Sequence, residues 1–276
     1  MTTGAGNARQ NLLSTGPVLL SLDATGVAHL RLNRPDASNG LDVGLLQILH
    51  DAVMLCHSDA QVRVVLLTGA GKNFCAGGDV RTFLGKGESL PYYLREATAR
   101  LQVAASALIH LNVPVVAAVQ GFAAGGGGLG LVCSSDLVVA GESAKFLAGA
   151  TRVGMAPDAG VSVTLARLVG LRRATEILLT NPILSAAQAK EIGLINRVVP
   201  DAELDQAALT LAQELAAGAP QGLAATKRLL WSGLALGVDA AMPEESRTVA
   251  ELSGSADVRE GLAAVIERRS AKFTGN

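Results

Sequence analysis

The stretch Val119–Asp136, VQGFAAGGGGLGLVCSSD, places four consecutive glycines, Gly125–Gly128, between an apolar run and a segment with the composition of a buried helix. A glycine within a helix or strand lowers the stability of the fold by roughly 0.5–1 kcal/mol relative to an alanine. The run therefore predicts that some other group approaches the main chain here. The apolar run VPVVAAV directly before it predicts a buried strand, so the glycines lie where a strand turns into a helix.

Predicted strands and helices alternate on both sides of this stretch. The runs GVAHLRLNRP, VRVVLLTG, VPVVAAVQG, DLVVAG and LINRVVP are typical of strands, and the segments between most of them have apolar residues at helical spacing. Connections of this length favour parallel pairing, so the sequence predicts an α/β protein. Beyond Pro200 the spacing is helical throughout. We predict a flexible leader over residues 1–16, an α/β core over 17–200 and a helical region over 201–276.

Composition excludes several classes of protein. The 276 residues are 49% hydrophobic and only 3% aromatic, which favours a core of Leu, Val and Ala. The net charge of −1 argues against a nucleic-acid partner. Three widely spaced cysteines without a CxxC pair indicate a reducing, cytoplasmic location. No apolar run is long enough to span a membrane, and the histidines lack metal-binding spacing, so we expect neither a membrane partner nor a metal.

A second glycine-rich turn, FCAGGD (Phe74–Asp79), follows the predicted strand VRVVLLTG. In both turns small residues leave backbone N–H groups uncovered where a helix can begin, and such groups attract anions. Two of them that converge on one point form an oxyanion hole. Close packing is the alternative explanation. A dinucleotide site is disfavoured, because no acidic residue ends a strand about 20 residues further on.

Four segments, LNRPDASNGLD, VVLLTGAGKNFCAGGDV, VPVVAAVQGFAAGGGGLGLVCSSDLVVAG and AKEIGLINRVVP, occur in an order and spacing that resemble the crotonase family of enoyl-CoA hydratases and isomerases. The resemblance runs from about Gly26 to Phe273. It implies a crotonase-like spiral of ββα units in which residues 17–200 bind acyl-CoA. It also implies a C-terminal region that trimerises, giving a homotrimer or a dimer of trimers. Coenzyme A would be part of the substrate, and no separate cofactor is expected.

The resemblance also assigns binding residues. The first oxyanion donor would be Gly78, the residue before Asp79. The second would be Gly126 or Gly127, because this chain has one residue more than is usual for the family between Gly121 and Asp136. The coenzyme A side would be formed by backbone at three small residues and by three cations that could meet phosphates: Ala37, Ser38, Ala76, Arg34, Arg81 and Lys272.

The acidic residues of the chain help to distinguish hydration from isomerisation. Hydratases of the family carry two glutamates, at positions where this chain has Leu129 or Gly130 and, further on, Ala150. Asp158, which follows Pro157, instead resembles the acid of the isomerase branch, which includes the Δ3,Δ2-enoyl-CoA isomerases and the ring-1,2-epoxyphenylacetyl-CoA isomerase type. One carboxylate near C2 and C4 of a thioester can move a proton between them. We therefore expect an acyl-CoA isomerase.

Three alternatives stay open at this level. Asp158 could only cap a helix that begins at Ala159, because aspartate is a favoured N-cap residue. The protein could be an enoyl-CoA hydratase or a CoA-thioester hydrolase whose acids have moved. It could also be a homologue that binds acyl-CoA without catalysis. Identification of the product distinguishes these functions.

Overall fold

The computed structural model describes residues 10–276 and contains the predicted alternation of strands and helices. The strands are β1 (Gln10–Leu13), β2 (Val18–Leu22), β3 (Val27–Leu32), β4 (Val64–Gly69), β5 (Val115–Val119), β6 (Phe122–Ala124), β7 (Leu137–Gly141), β8 (Lys145–Leu147), β9 (Leu184–Ser185) and β10 (Arg197–Val199). The helices are α1 (Val43–Ser58), α2 (Val80–Leu84), α3 (Leu90–Ile109), α4 (Gly125–Cys133), α5 (Val161–Val169), α6 (Leu171–Thr180), α7 (Ala186–Glu191), α8 (Leu204–Ala216), α9 (Pro220–Gly233), α10 (Val238–Leu252) and α11 (Ala256–Glu267). Within this range no helix combines the length and apolarity that a bilayer crossing requires.

The strands form two sheets. The larger sheet has the order β1-β2-β3-β4-β5-β7-β10, with antiparallel pairs from β1 to β3 and parallel pairs from β3 to β10. The smaller sheet has the order β6-β8-β9. Part of the leader that we predicted to be flexible over residues 1–16 is a strand, because β1 pairs with β2. Residues 1–9 of that leader lie outside the described residues.

Helices cover both faces of the larger sheet. On one face α1 lies against β2 and β3 and packs on α3. On the other face α8 lies against β4 and β5, with Ala208, Leu211 and Ala212 buried there. Thus α8 belongs to the packing of the sheet, although it follows the boundary predicted at residue 200. Helix α9 is tied to the sheet by a buried ion pair of 2.8 Å between Lys227 and Asp136.

The three loops that carry the predicted site all begin at the carboxyl ends of strands in the larger sheet. They follow β3, β4 and β5, which are adjacent parallel strands and therefore end on the same side. The loops contain, in turn, the segment RPDASNG, the turn FCAGGD and the glycine run. Segments that are far apart in sequence are thereby brought together.

Candidate active site

The two glycine turns contact each other through their backbones. Cys75 and Ala123 form an isolated parallel bridge, in which the N–H of Cys75 donates to the carbonyl of Phe122 over 3.0 Å. Just beyond it, Gly77 and Gly125 have φ angles of +96° and +66°, which favour glycine. A Cβ placed on Gly125 would lie only 3.2 Å from the Cα of Gly77. Backbone packing therefore accounts for some of the glycines in both turns.

A second bridge sets the direction of the Gly78 amide. The N–H of Leu41 donates to the carbonyl of Gly77 over 2.8 Å, and the carbonyl of Leu41 accepts from the N–H of Asp79 over 3.1 Å. Because successive peptide groups of an extended chain point to opposite sides, the N–H of Gly78 points away from Leu41. Among residues 10–276 it has no hydrogen-bond acceptor. Gly78 lines a cavity, so its amide is available to a ligand there.

The N-terminus of α4 supplies further amide groups at the same cavity. The helix follows Ala124, whose side chain cannot cap it. The N–H groups of Gly126 and Gly127 are in the first turn, where an α-helix offers them no internal acceptor. In the described part of the chain neither donates a hydrogen bond, and both residues line the cavity. The partial positive charge of the helix end favours an anionic oxygen at this position.

The turn before α5 packs in a groove on α4. Gly126 and Gly130 are one turn apart and therefore lie on the same face of the helix. A Cβ placed on Gly126 would overlap the carboxyl group of Asp158, at 2.5 Å from its Cγ. A Cβ on Gly130 would lie 2.6 Å from the Cβ of Ala159. The group that approaches the glycine run is thus the carboxylate-bearing turn itself, so close packing, the alternative explanation of the glycines, accounts for Gly126 and Gly130.

Asp158 is half-buried and has no cationic partner among the described residues. Burial raises the pKa of its carboxyl group, and a hydrogen bond to its own backbone offsets only part of this effect. The helix predicted to begin at Ala159 begins instead at Val161, with Gly160 at the N-cap and no side-chain cap. The alternative that Asp158 serves as the N-cap of this helix is therefore wrong.

The cavity has a volume of about 690 Å³ and brings together Gly78, Gly126, Gly127 and Asp158. Most of its remaining wall is apolar, with Leu41, Val80, Phe83, Leu84, Leu94 and Met155 among the lining residues. Arg152 also lines it, and its Nη2 donates to the carbonyl of Asn181 over 2.5 Å. Asp158 is the only carboxylate among the lining residues within residues 10–276.

The positions of the two family glutamates hold no acid. Ala150 lines the cavity, close to Asp158 in the chain. Leu129 is buried on the core side of α4, and Gly130 is covered by Ala159. With either alignment of the glycine run, uncharged atoms occupy the place where a hydratase of this family would have its first glutamate.

The residues predicted on the coenzyme A side are only partly brought to the cavity. Ala76 lines it and donates its N–H to the carbonyl of Ser38 over 3.0 Å, so Ser38 lies next to the cavity wall. Ala37 precedes Ser38 in a short 3₁₀ turn, Pro35–Ala37. A backbone role for Ala37 and Ser38 on the coenzyme A side stays a prediction, because of the three small residues only Ala76 lines the cavity.

The predicted cations are not lining residues of the cavity. The guanidinium of Arg34 pairs with Asp42 and Asp79 at 2.9 and 3.0 Å. Arg81 is exposed on α2. Lys272 lies near the C-terminus, where its N–H donates to the Glu260 carboxylate over 2.8 Å.

Two sheets of this order, two apposed glycine turns and a helical C-terminal region define a protein of the crotonase fold. The structure of an enoyl-CoA hydratase from Bacillus anthracis superposes with a TM-score of 0.89 at 32% identity, covering 95% of this chain and 100% of that one. Residues 23–276 match the family described as Enoyl-CoA hydratase/isomerase, and the chain belongs to this family. Both the predicted fold class and the predicted family are confirmed.

Similar proteins have names from both activities of the family. A protein of Rhodobacter capsulatus named "Probable enoyl-CoA hydratase" is 36% identical over 91% of this chain and 95% of its own length. The 1,2-epoxyphenylacetyl-CoA isomerase of Escherichia coli is 36% identical over 93% of this chain and 98% of its own length. The 2,3-dehydroadipyl-CoA hydratase of Escherichia coli is 33% identical over 90% and 95%. The names of these relatives therefore do not distinguish hydration from isomerisation.

Proposed function

We propose that this protein is an acyl-CoA isomerase, which moves a carbon–carbon double bond by transferring a proton between C2 and C4 of the acyl group. The observation that carries the proposal is the placement of one carboxylate, Asp158, against Gly126 at the start of α4. Both positions of the hydratase glutamates are uncharged. The site therefore has one general base beside several free amides.

The amides would stabilise the intermediate. The thioester oxygen of a 3-enoyl-CoA would accept hydrogen bonds from the N–H of Gly78 and from that of Gly126 or Gly127. When Asp158 removes a proton from C2, the electron pair of the C–H bond forms the C1–C2 double bond and the oxygen becomes an enolate. Return of the proton to C4 shifts the C3–C4 double bond to C2–C3 and restores the carbonyl. Removal of one such donor typically lowers the rate by about 10²–10³-fold.

The surroundings of Asp158 suit this role. Burial raises the pKa of the carboxyl group, which makes the carboxylate a stronger base towards the weakly acidic hydrogens at C2. Without a cationic partner in the described residues, only the hydrogen bond to its own backbone opposes that effect. The same group can then release its proton to C4, so a single residue serves as base and acid.

Hydration makes a different demand. A water molecule must be positioned and deprotonated while a carbon is protonated, and the family's hydratases use two glutamates for this. This cavity offers one carboxylate, so hydratase activity is the less favoured function even though several relatives carry hydratase names.

The cavity walls favour an apolar acyl group. The Thr98 hydroxyl at the wall donates to the carbonyl of Leu94 over 2.8 Å and is thus occupied. The neighbouring lining residues Phe83, Leu84 and Leu101 offer no hydrogen bond. A carboxylated or hydroxylated acyl chain would lose its hydration against these side chains without compensation unless it reached Arg152, the one cation of the wall within residues 10–276.

The test is a substrate screen with product identification. We expect 3-enoyl-CoA to give 2-enoyl-CoA, with solvent deuterium entering at C2 and C4. Asp158→Asn should retain the fold and ligand binding but lose turnover, whereas Asp51→Asn, on the exposed face of α1, should not. Formation of 3-hydroxyacyl-CoA, release of free coenzyme A, or full activity in Asp158→Asn would contradict the proposal.

We also propose that the protein assembles as a homotrimer or a dimer of trimers through its C-terminal helices. Four apolar side chains of this region are at least 68% exposed in the single chain: Leu230, Val238, Val265 and Ile266. Such a concentration of exposed apolar residues is typical of an interface. Analytical ultracentrifugation should give a mass of three or six chains, and Ile266→Glu should lower it. A monomeric native protein would refute the proposal.

A further inference from the structure

Arg34 has surroundings that do not suit a phosphate ligand. Its guanidinium pairs with Asp42 at 2.9 Å and Asp79 at 3.0 Å, and its Nη1 donates to the carbonyl of Gly40 over 2.6 Å. A phosphate at this position would have to compete with two carboxylates and would be repelled by both. The side chain is only 25% exposed, so the pairs are partly shielded from water.

The two carboxylates that pair with Arg34 each come directly after a residue of the bridge between Leu41 and Gly78. Asp42 follows Leu41, Asp79 follows Gly78, and Leu41 and Gly78 are the bridge partners that turn the Gly78 amide away from the Leu41 backbone. Each carboxylate also caps a helix: Asp42 accepts from the first turn of α1 over 2.8 Å, and Asp79 from that of α2 over 3.1 Å. Arg34 thus pairs with the N-cap residues of both α1 and α2. Each of these N-cap residues comes directly after a residue of the bridge.

We propose that Arg34 is a positioning residue, whose two ion pairs hold the Leu41 and Gly78 segments in register so that the Gly78 N–H faces the thioester oxygen. This inference rests on the oxyanion role given to Gly78 under the proposed function, but not on the role of Asp158. The charge state of Asp79 agrees with it. Although burial acts to raise the pKa of that carboxyl, hydrogen bonds from Thr82 and Arg34 outweigh burial and lower it.

A truncated substrate distinguishes positioning from phosphate binding. A pantetheine thioester has the reacting acyl group but lacks the phosphates of coenzyme A. Displacement of a catalytic group by about 1 Å can lower the rate by about 10²-fold. We therefore expect Arg34→Met to lower kcat by about 10- to 100-fold for both thioesters, with KM changed by less than about threefold. A phosphate ligand would instead raise KM for the coenzyme A thioester alone.

Vibrational spectroscopy measures the Gly78 contact without turnover. The carbonyl stretch of a bound acyl-CoA, labelled with ¹³C at C1, should be lower than in solution, because the amides polarise the bond. Arg34→Met should return it towards the solution value, and Asp158→Asn should leave it low. If Asp158 proves not to be the base, this dependence on Arg34 still tests the inference separately. The matched control is Arg100→Met, which removes an arginine of similar exposure that pairs with Glu96 at 2.9 Å.

Two further variants distinguish loss of the positioning contact from loss of the folded structure. Arg34→Lys can keep one ion pair and should give an intermediate kcat. Asp79→Asn preserves side-chain volume, and the Arg34→Met/Asp79→Asn double variant should lose little more than the more impaired single variant, because both remove the same contact. An unchanged carbonyl frequency and kcat in a folded Arg34 variant, or losses limited to coenzyme A thioesters, would overturn the inference.

Discussion

Replacement of Gly126 by alanine should separate chemistry from binding at this site. Gly126 is not among the glycines with a positive φ, so alanine can adopt its backbone conformation. The new Cβ would, however, lie 2.5 Å from the Cγ and 3.2 Å from the Oδ2 of Asp158. The three atoms nearest to this Cβ all belong to that carboxyl group, so the substitution acts on the proposed base directly.

The size of the effect follows from the geometry. Non-bonded carbons are normally about 3.5 Å apart, so a Cγ that would lie 2.5 Å away must retreat by at least about 1 Å, and Oδ1, which would overlap the new Cβ, must move further. A misplacement of about 1 Å can lower the rate by about 10²-fold, which corresponds to about 2.7 kcal/mol of transition-state stabilisation. We expect kcat for 3-enoyl-CoA isomerisation to fall by this factor, with little change in the affinity for a non-reactive acyl-CoA.

Stability gives an independent check of the same contact. Overpacking typically costs about 1–3 kcal/mol, so Gly126→Ala should lower the free energy of unfolding in urea. In an Asp158→Ala background the overlap disappears, and the same change should be neutral or stabilising, since alanine favours helix by roughly 1 kcal/mol over glycine. Gly44→Ala is the control, because its Cβ would meet only Asp42, at 3.5 Å. Equal costs in the two backgrounds, or wild-type turnover in Gly126→Ala, would refute the reasoning.

Four further outcomes are expected. Because burial raises the pKa of Asp158, kcat/KM should fall on the acid side at a pH above the ordinary value of 3.8, Asp51→Asn should retain this limb, and a pH–rate profile that stays flat down to pH 3.8 would contradict the expectation. The folded state then holds this proton more tightly than the unfolded state, so ionised Asp158 lowers stability as pH rises through its folded pKa; Asp158→Asn should therefore stabilise the protein at neutral pH, and urea titrations should show the gain shrinking in acid. Lys227→Met should destabilise the protein by about 1–3 kcal/mol in the same assay, because Asp136 loses its ion pair and keeps only its hydrogen bonds from Val115 and Trp231, and an unchanged stability would contradict this. A thiol reagent should detect no reactive cysteine in the native protein and three after denaturation, because burial raises the pKa of each thiol to about 12: Cys56, Cys75 and Cys133.

Local patterns in the sequence predicted most of the fold, because they reflect forces that act over a few residues. The run VRVVLLTG corresponds to β4, which ends at Gly69 as predicted. Ser185 caps α7 and forms a capping box with Gln188. The strand β1 was missed, because QNLL contains no alternation of apolar and polar residues and depends on pairing with β2. Tertiary pairing of this kind cannot be read from a four-residue stretch.

The candidate site was predictable in its parts but not in its contacts. The two glycine turns and Asp158 were identified from the sequence, and the fold brings them to one cavity. The role of Arg34 was not, because an arginine beside a ligand loop has the same sequence pattern whether it meets phosphate or carboxylate. A small-xxx-small pattern at Gly126 and Gly130 was the available signal that another segment packs on α4.

The same contacts explain why one acid excludes another at this site. A glutamate at position 130 would need a Cβ where Ala159 now lies, 2.6 Å away, so it could not coexist with the present turn before α5. A glutamate at position 129 would have to extend from the buried face of α4 into the core, where an ionised group is costly. A catalytic acid could thus be carried either by α4 or by the turn that packs on it. Because Gly126 and Gly130 lie against that turn, only the second arrangement fits this structure. Conversion to a two-glutamate hydratase would consequently require displacement of the Asp158 turn in addition to the new side chains, and Ala150→Glu alone should not produce hydration.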